Sequence, residues 1–225
     1  QIPAYVAGNA ILDLTDWYKE YGKNIMSDMD ITADSYKQRL YGINYQDLDV
    51  KIVMCYNLNL LDAIRAENPS IKEPAQMFLD GEWNYETFTE YCINIQTALE
   101  TMYGSEGDKY YCLSGYGVYY WQGMVNAGGV RILDTTQLQV SIAGATETLA
   151  GQTMQDIYAA GAMDPAFQVD QGVATWNTQH ALFNVGSFWF VNSPNRWSKT
   201  LWGSEETTRY GYVPFPTSPS NTDKD

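Results

Sequence analysis

Short runs rich in β-branched and apolar residues alternate, one at a time, with stretches of helical periodicity along this chain, and that alternation most restricts its fold. Val50-Lys51-Ile52-Val53-Met54-Cys55-Tyr56 reads as a strand; Asn57 stops it and caps a helix whose apolar residues Leu60, Leu61 and Ile64 share one face. After a loop holding Pro69 and Pro74, Asn84 opens a long helix. Glu86 suits the positive end of its dipole, and Phe88, Tyr91, Cys92, Ile95 and Leu99 recur at helical spacing as far as about Met102. A strand at Tyr110-Tyr111-Cys112-Leu113 and a loop over Gly115 to Gly117 lead to Tyr119-Tyr120-Trp121. Glu147 to Ala160 reads as a helix closed by Gly161, where glycine takes the left-handed conformation cheaply. A short helix within Gln171 to His180 precedes a strand over Ala181 to Val185. Gly186-Ser187-Phe188-Trp189-Phe190 then sits at a strand-to-helix turn, a place where α/β proteins bind ligands. Tyr210 to Val213 is the last strand, followed by a Pro/Ser-rich tail. Near the start, Asp13 or Thr15 is expected to cap a short helix ending near Gly22. The order predicts an α/β fold with a mixed sheet.

At 225 residues and 45% hydrophobic content, the chain can bury one substantial core or two modest ones. Its charge of −14 is spread without a basic stripe, which argues against nucleic acid or anionic lipid as partner and for a neutral or cationic ligand. No apolar run is long enough to span a membrane, and Gln1-Ile2-Pro3-Ala4 lacks the regions of a signal peptide. The expectation is a cytosolic chain or one whose leader has been removed. Cys55, Cys92 and Cys112 match neither a zinc site nor a disulfide framework. They read as small buried residues, with a Cys92 to Cys112 bridge left open.

Catalytic signatures are missing. The one histidine, His180, has no serine or cysteine arranged with it as a nucleophile, and Gly128-Gly129 lacks the rest of a phosphate or dinucleotide loop, so no cofactor is expected. Asp28 to Asp34 resembles the start of a calcium loop, but Ala33 replaces the turn glycine and Arg39 stands where a bidentate Glu is needed, so no metal is expected either. Two of the 27 acids could form a glycosidase pair, with Glu82 beside Trp83 the only one in an apolar context.

Aromatic content is the unusual feature: 18 Tyr, 7 Trp and 7 Phe. A pyranose shows an apolar face that stacks on an aromatic ring and hydroxyls that need directed hydrogen bonds, so this composition suits carbohydrate, although core packing accounts for many rings. Tyr116, Tyr119, Tyr120 and Trp121 follow one strand, and Phe188, Trp189 and Phe190 follow another.

Several motifs carry a resemblance in order and spacing. They are Ile11-Leu12-Asp13-Leu14-Thr15, Tyr41-Gly42-Ile43-Asn44 with Met54 to Leu61, and Gly81-Glu82-Trp83-Asn84-Tyr85-Glu86-Thr87-Phe88, the most specific. To these add Met154 to Met163 with Asp164-Pro165, Trp176 to Trp189, and Tyr210-Gly211-Tyr212-Val213-Pro214-Phe215-Pro216. Together they resemble the family 1 extracellular solute-binding proteins of ABC importers, the maltose-binding-protein-like group. Asn44 replaces a usual Pro, Asn59 an Asp, Trp176 a Phe and Gln179 a turn Gly, so nearby loops are expected to differ in shape.

The resemblance implies a class II periplasmic-binding-protein-like α/β fold, with one nearly complete lobe of mixed sheet and flanking helices. Such chains run to about twice this length. Residues 1–55 would be a remnant of the first lobe with a hinge crossing, 56–209 the second lobe, and 210–225 the return hinge strand and tail. It also implies a non-catalytic protein that binds a sugar between lobes and delivers it to a permease, outside the cell or in the periplasm, on a lipid anchor. Trp189 aligns with a sugar-stacking tryptophan, followed as stacking candidates by Tyr119, Tyr116, Trp121 and Phe188; Gln122, Asp47 and Asp49 are polar candidates. A glycoside hydrolase or a lectin-like carbohydrate-binding module is the alternative.

Overall fold

In a computed structural model, the described residues are 2–22, 25–26, 28–43, 52–104, 109–134, 138–166, 173–187 and 209–219. They fall into two compact units, one made of residues 1–49 and 131–142, the other of 50–130 and 143–225.

The first unit holds helices α1 (Ile2–Ala7), α2 (Thr15–Tyr21) and α3 (Asp28–Ala33), a hairpin of β1 (Ser35–Tyr36) and β2 (Arg39–Leu40), and a second hairpin of β5 (Leu133–Asp134) and β6 (Gln139–Val140). Leu14, not Asp13 or Thr15, occupies the N-cap position of α2. Asp13 still serves that helix end, because its carboxylate accepts both the Thr15 N–H (3.0 Å) and the Thr15 hydroxyl (2.6 Å). Thr15 Oγ1 in turn accepts the Leu40 N–H at 2.9 Å, and the Leu14 N–H donates to the Leu40 carbonyl at 2.8 Å, stitching α2 to β2. The Thr15 bonds, assisted by the Arg39 guanidinium, hold the Asp13 carboxyl at about 2. Most of the calcium-like stretch is the α3 helix itself, which ends at Ala33.

The second unit is built on a four-stranded sheet in the order β4-β7-β3-β8, from β3 (Ile52–Asn57), β4 (Tyr111–Gly115), β7 (Ala181–Ser187) and β8 (Tyr210–Val213). β4 and β7 run parallel, while β3 is antiparallel to both β7 and β8, so the sheet is mixed as expected. Its helices are α4 (Leu58–Glu67), α5 (Pro74–Leu79), α6 (Tyr85–Tyr103), α7 (Gly117–Ala127), α8 (Ala145–Ala159) and α9 (Val173–Asn177).

Local chemistry explains the helix boundaries. Asn57 ends β3 and caps α4, its side chain accepting the Leu60 N–H at 3.0 Å. Asn84 and Thr87 form a reciprocal box at the start of α6: Asn84 Oδ1 accepts the Glu86 and Thr87 N–H groups, and Thr87 Oγ1 accepts the Asn84 N–H. Buried Phe88, Tyr91, Cys92, Ile95 and Leu99 follow at the predicted spacing. Under this stripe Phe183 of β7 meets Tyr56, Trp83, Phe88 and Tyr91 with ring centroids 6.0 to 6.3 Å apart.

β4 lies at a sheet edge, and its outer side is covered. The Leu113 N–H donates to the Ala162 carbonyl, and the Leu113 carbonyl accepts the Asp164 N–H. The Gln96 amide accepts the Cys112 N–H (3.0 Å) and donates to the Tyr110 carbonyl (3.1 Å). Cys55, Cys92 and Cys112 are all buried and free, so no Cys92 to Cys112 bridge is present.

Two outcomes follow from these contacts. Asn84→Ala removes the α6 cap and is expected to lower unfolding stability by about 1 kcal/mol in chemical denaturation. The depressed Asp13 carboxyl stabilises the folded form at pH above its unfolded value near 3.8 and loses that contribution as pH falls toward about 2. An NMR titration of Asp13 should place its midpoint near about 2, and a midpoint at the ordinary value would refute the Thr15 contacts.

Candidate functional site

The strand registers bring several chain segments to one end of the second unit's sheet. Gly115 pairs with Val185 where β4 and β7 run out together, Ile52 opposite Ser187 begins β3 there, and Val213 opposite Met54 ends β8. Gly115 is at φ 91°, and a Cβ on it would stand 2.8 Å from the Val185 carbonyl oxygen, so only glycine permits this close exit. β4 runs through Gly115 and α7 starts at Gly117, which shortens the predicted loop to a single residue, Tyr116.

Tyr116 and Tyr119 meet there edge to face, centroids 5.3 Å apart at 80°, and both are half-buried. Gln122, also half-buried, lies one turn beyond Tyr119 on the same side of α7. Tyr120 points the other way into the core. It is fully buried, its hydroxyl donates to the Ser114 carbonyl at 2.9 Å, and burial pushes its pKa well up. Its ring meets Phe215 at 6.5 Å in an edge contact. Phe215 also covers Gly123, where a Cβ would lie 2.5 Å from its ring atoms.

The segment after β8 is fastened as well. The Trp83 indole N–H donates to the Pro214 carbonyl (2.9 Å), and Tyr85 and Thr217 exchange backbone bonds with Thr217 and Trp83. A buried polar chain runs beneath the exits: Asn184 Nδ2 donates to Ser114 Oγ (2.8 Å), Ser114 Oγ donates to the Phe183 carbonyl (3.1 Å), and the Cys55 thiol donates to the Asn184 carbonyl (3.3 Å).

Of the sequence-predicted site residues, Tyr116, Tyr119 and Gln122 come together at this sheet end. Trp121 does not join them. It stands about 200° around α7 from Tyr119, its indole N–H donates to the Glu147 carbonyl at 3.0 Å, and it lines a groove of about 360 Å³ with Met154, Tyr158 and Met163. Trp189, Phe188, Asp47 and Asp49 lie outside the described residues. Another concavity, of about 310 Å³ between Glu100, Lys109, Tyr110 and Tyr158, lies at the opposite end of β4. His180 is at that end too, its ring 4.3 Å from Tyr110. Glu82 is an exposed partner of Lys72 at 2.7 Å.

Among the described residues, no cluster of three or more His, Cys, Asp or Glu side chains could hold a metal ion. No helix among them is long and apolar enough to cross a membrane. Neither Phe215, read only as part of the return-strand motif, nor Gly123 is a site candidate in the sequence, although a glycine inside a helix is a signal of close approach by another group.

No protein-family model matches the sequence, and no curated protein does. Solved structures do. The sugar-binding protein MalE from Xanthomonas citri is similar over 95% of this chain and 50% of its own, with a TM-score of 0.62 at 14% identity. An ABC transporter solute-binding protein from Thermotoga lettingae bound with α-D-tagatose gives a TM-score of 0.60 at 14% identity, over 95% of this chain and 51% of its own. UgpB from Mycobacterium tuberculosis, in complex with glycerophosphocholine, gives 0.57 at 15% identity, over 96% and 50%. This chain therefore spans about half the length of the solved structures it matches. The likeness is one of fold, and the fold is class II periplasmic-binding-protein-like.

The Gly123 contact yields a direct test of the site's architecture. Gly123→Val should expel Phe215 from its seat on Tyr120 and lower stability by about 1 to 3 kcal/mol. Chemical denaturation and the near-ultraviolet circular dichroism of the aromatic rings would both register the change; an unaltered spectrum would show that the contact is not made.

Proposed function

We propose that this chain, which has the fold of ABC-importer solute-binding proteins, is part of such a protein and binds a neutral sugar or oligosaccharide without catalysing a reaction. In this reading residues 56–209 make up one lobe, with 131–142 as an excursion from it. Residues 1–55 carry part of the other lobe and one hinge crossing, and 210–225 carry the return crossing. The observation that supports the reading best is that β4 and β7 are parallel neighbours ending side by side, with Tyr116 and Tyr119 meeting edge to face directly after β4. The sequence that continues from β7 is also aromatic, Phe188-Trp189-Phe190.

Stacking falls to Tyr116, Tyr119, Trp189 and Phe188, with Gln122, Asp47 and Asp49 supplying hydrogen bonds to hydroxyls. Trp121, bound to the Glu147 carbonyl on another face of α7, is the least suited of the predicted residues to share that ligand. The antiparallel pairing of β3 with β8 supports a hinge of two adjacent crossings, near 47–55 and 210–216, that closes the lobes on the sugar. Closure would present the bound state to a permease. The site of action is extracellular or periplasmic, and a lipid anchor would hold the protein at the membrane.

A calorimetric or thermal-shift screen of mono- and oligosaccharides tests the ligand class, and stabilisation only by peptides, metals or anions would defeat it. Tyr119→Ala and Trp189→Ala should each weaken sugar binding by about 1 to 3 kcal/mol. Trp121→Phe, which removes the bond to Glu147, should lower stability by about 1 kcal/mol and leave sugar affinity unchanged.

A further inference from the structure

Two concavities of the second unit have no part in the sugar reading, and they adjoin. Tyr158 and Met163 line both, so the two form one trough beside the outer edge of β4, where Met163 bridges Leu113. One compartment, of about 360 Å³, is apolar, with Val118 and Trp121 of α7 and Met154 and Tyr158 of α8 in its walls. The other, of about 310 Å³, lies between the last turns of α6, the start of β4 and the chain after α8. It carries one charge of each sign, Glu100 and Lys109. Both volumes fall within the range of small-molecule sites, about 300 to 1,000 Å³.

These two charges do not satisfy each other. Among the described residues neither Glu100 nor Lys109 has an ion-pair partner. Glu100 is held by an amide: buried Gln96 donates to one of its carboxylate oxygens at 3.2 Å and is itself fixed by the Cys112 N–H and the Tyr110 carbonyl. The other Glu100 oxygen bonds to no described residue. Gly104 and Gly161 stand on the same rim, and a Cβ at either would meet nothing within 4 Å, so the mouth is open.

We propose that the trough binds a free α-amino acid with an apolar side chain, of the class of phenylalanine and leucine. The α-ammonium donates to Glu100, and the α-carboxylate accepts from Lys109. The side chain passes Tyr158 into the apolar compartment, against Trp121, Met154 and Met163. A carboxylate and an ammonium in one concavity oppose each other's pull on a singly charged ligand, whereas a zwitterion engages both. Because both groups are exposed to solvent, each contributes modestly, and burial of the side chain supplies the rest. The inference does not rest on the sugar reading, whose ligand and residues are different.

The experiment is calorimetric titration of the chain with L-phenylalanine and L-leucine, beside N-acetyl-L-phenylalanine, which lacks the ammonium, and L-phenylalaninamide, which lacks the carboxylate. The free amino acids should bind saturably, and each blocked form about tenfold more weakly than phenylalanine. Glu100→Gln, which keeps an acceptor for the Gln96 amide, and Lys109→Gln should each weaken phenylalanine binding by a similar factor. Both side chains are exposed, so these variants should fold. Methionine-methyl NMR of the unaltered chain locates the ligand: the phenylalanine ring should shift the Met154 and Met163 resonances and leave those of Met54 in β3 and Met77 in α5 in place. No saturable binding of either amino acid, equal binding of a blocked form, unchanged affinity in both variants, or shifts centred on other methionines would overturn the proposal.

Discussion

Phe183, at the middle of β7, is the contact on which the second unit depends. The four rings that meet it come from three places in the chain: Tyr56 from β3, Trp83 from the turn before α6, and Phe88 and Tyr91 from α6 itself. Truncating such a residue costs about 3 to 5 kcal/mol, but its larger role is geometric. β7 pairs with β3 on one side and β4 on the other, so fixing it beneath α6 fixes the end of the sheet where β4 and β7 run out. Trp83 extends the same cluster to the return segment through its bond to the Pro214 carbonyl. The aromatic core and the strand exits are thus one mechanical system.

Much of this unit was legible in the sequence because its signals are local. Asn57, Asn84 and Gly161 each mark a helix boundary by their own chemistry, and the α6 stripe repeats long enough to fix its buried face. The first unit was harder to read. Its β1-β2 hairpin turns at Lys37 and Gln38, both in the left-handed region at φ 50° and 62°, where Asn or Gly is the usual signal. Strands of two residues carry no alternation to detect. Leu138 at φ 57° opens β6 in the same unexpected way. In both places the backbone takes a conformation that the residue types do not announce.

The edge of β4 shows a different limit. Its sequence reads as a strand, yet nothing in Tyr111 to Gly115 says that Gln96 and the 162–164 segment will satisfy its outer groups. A glutamine one turn after a cysteine on a buried helical stripe looks like an error in the apolar pattern, until its amide is seen to complete two backbone hydrogen bonds. Polar residues at core positions are informative for this reason, since burying them without partners costs more than the hydrophobic residue they replace would contribute. The same reasoning applies to Ser114 and Asn184, which hold the polar chain beneath the strand exits.

Aromatic abundance suggested carbohydrate, but abundance alone cannot separate rings that stack on a ligand from rings that pack. Trp83, Tyr85, Phe88, Tyr91, Tyr120, Trp176 and Phe183 are all buried, so a large part of the surplus is taken up by the core. Helical phase makes the separation within the run Tyr119-Tyr120-Trp121. At about 100° per residue, three consecutive rings must face three directions: Tyr119 toward Tyr116, Tyr120 toward the Ser114 carbonyl and Phe215, and Trp121 toward α8. One aromatic in three remains at the sheet end. A sugar site is supported less by how many aromatics the chain has than by two parallel strands ending side by side, the first followed by the Tyr116–Tyr119 pair and the second, in sequence, by Phe188-Trp189-Phe190.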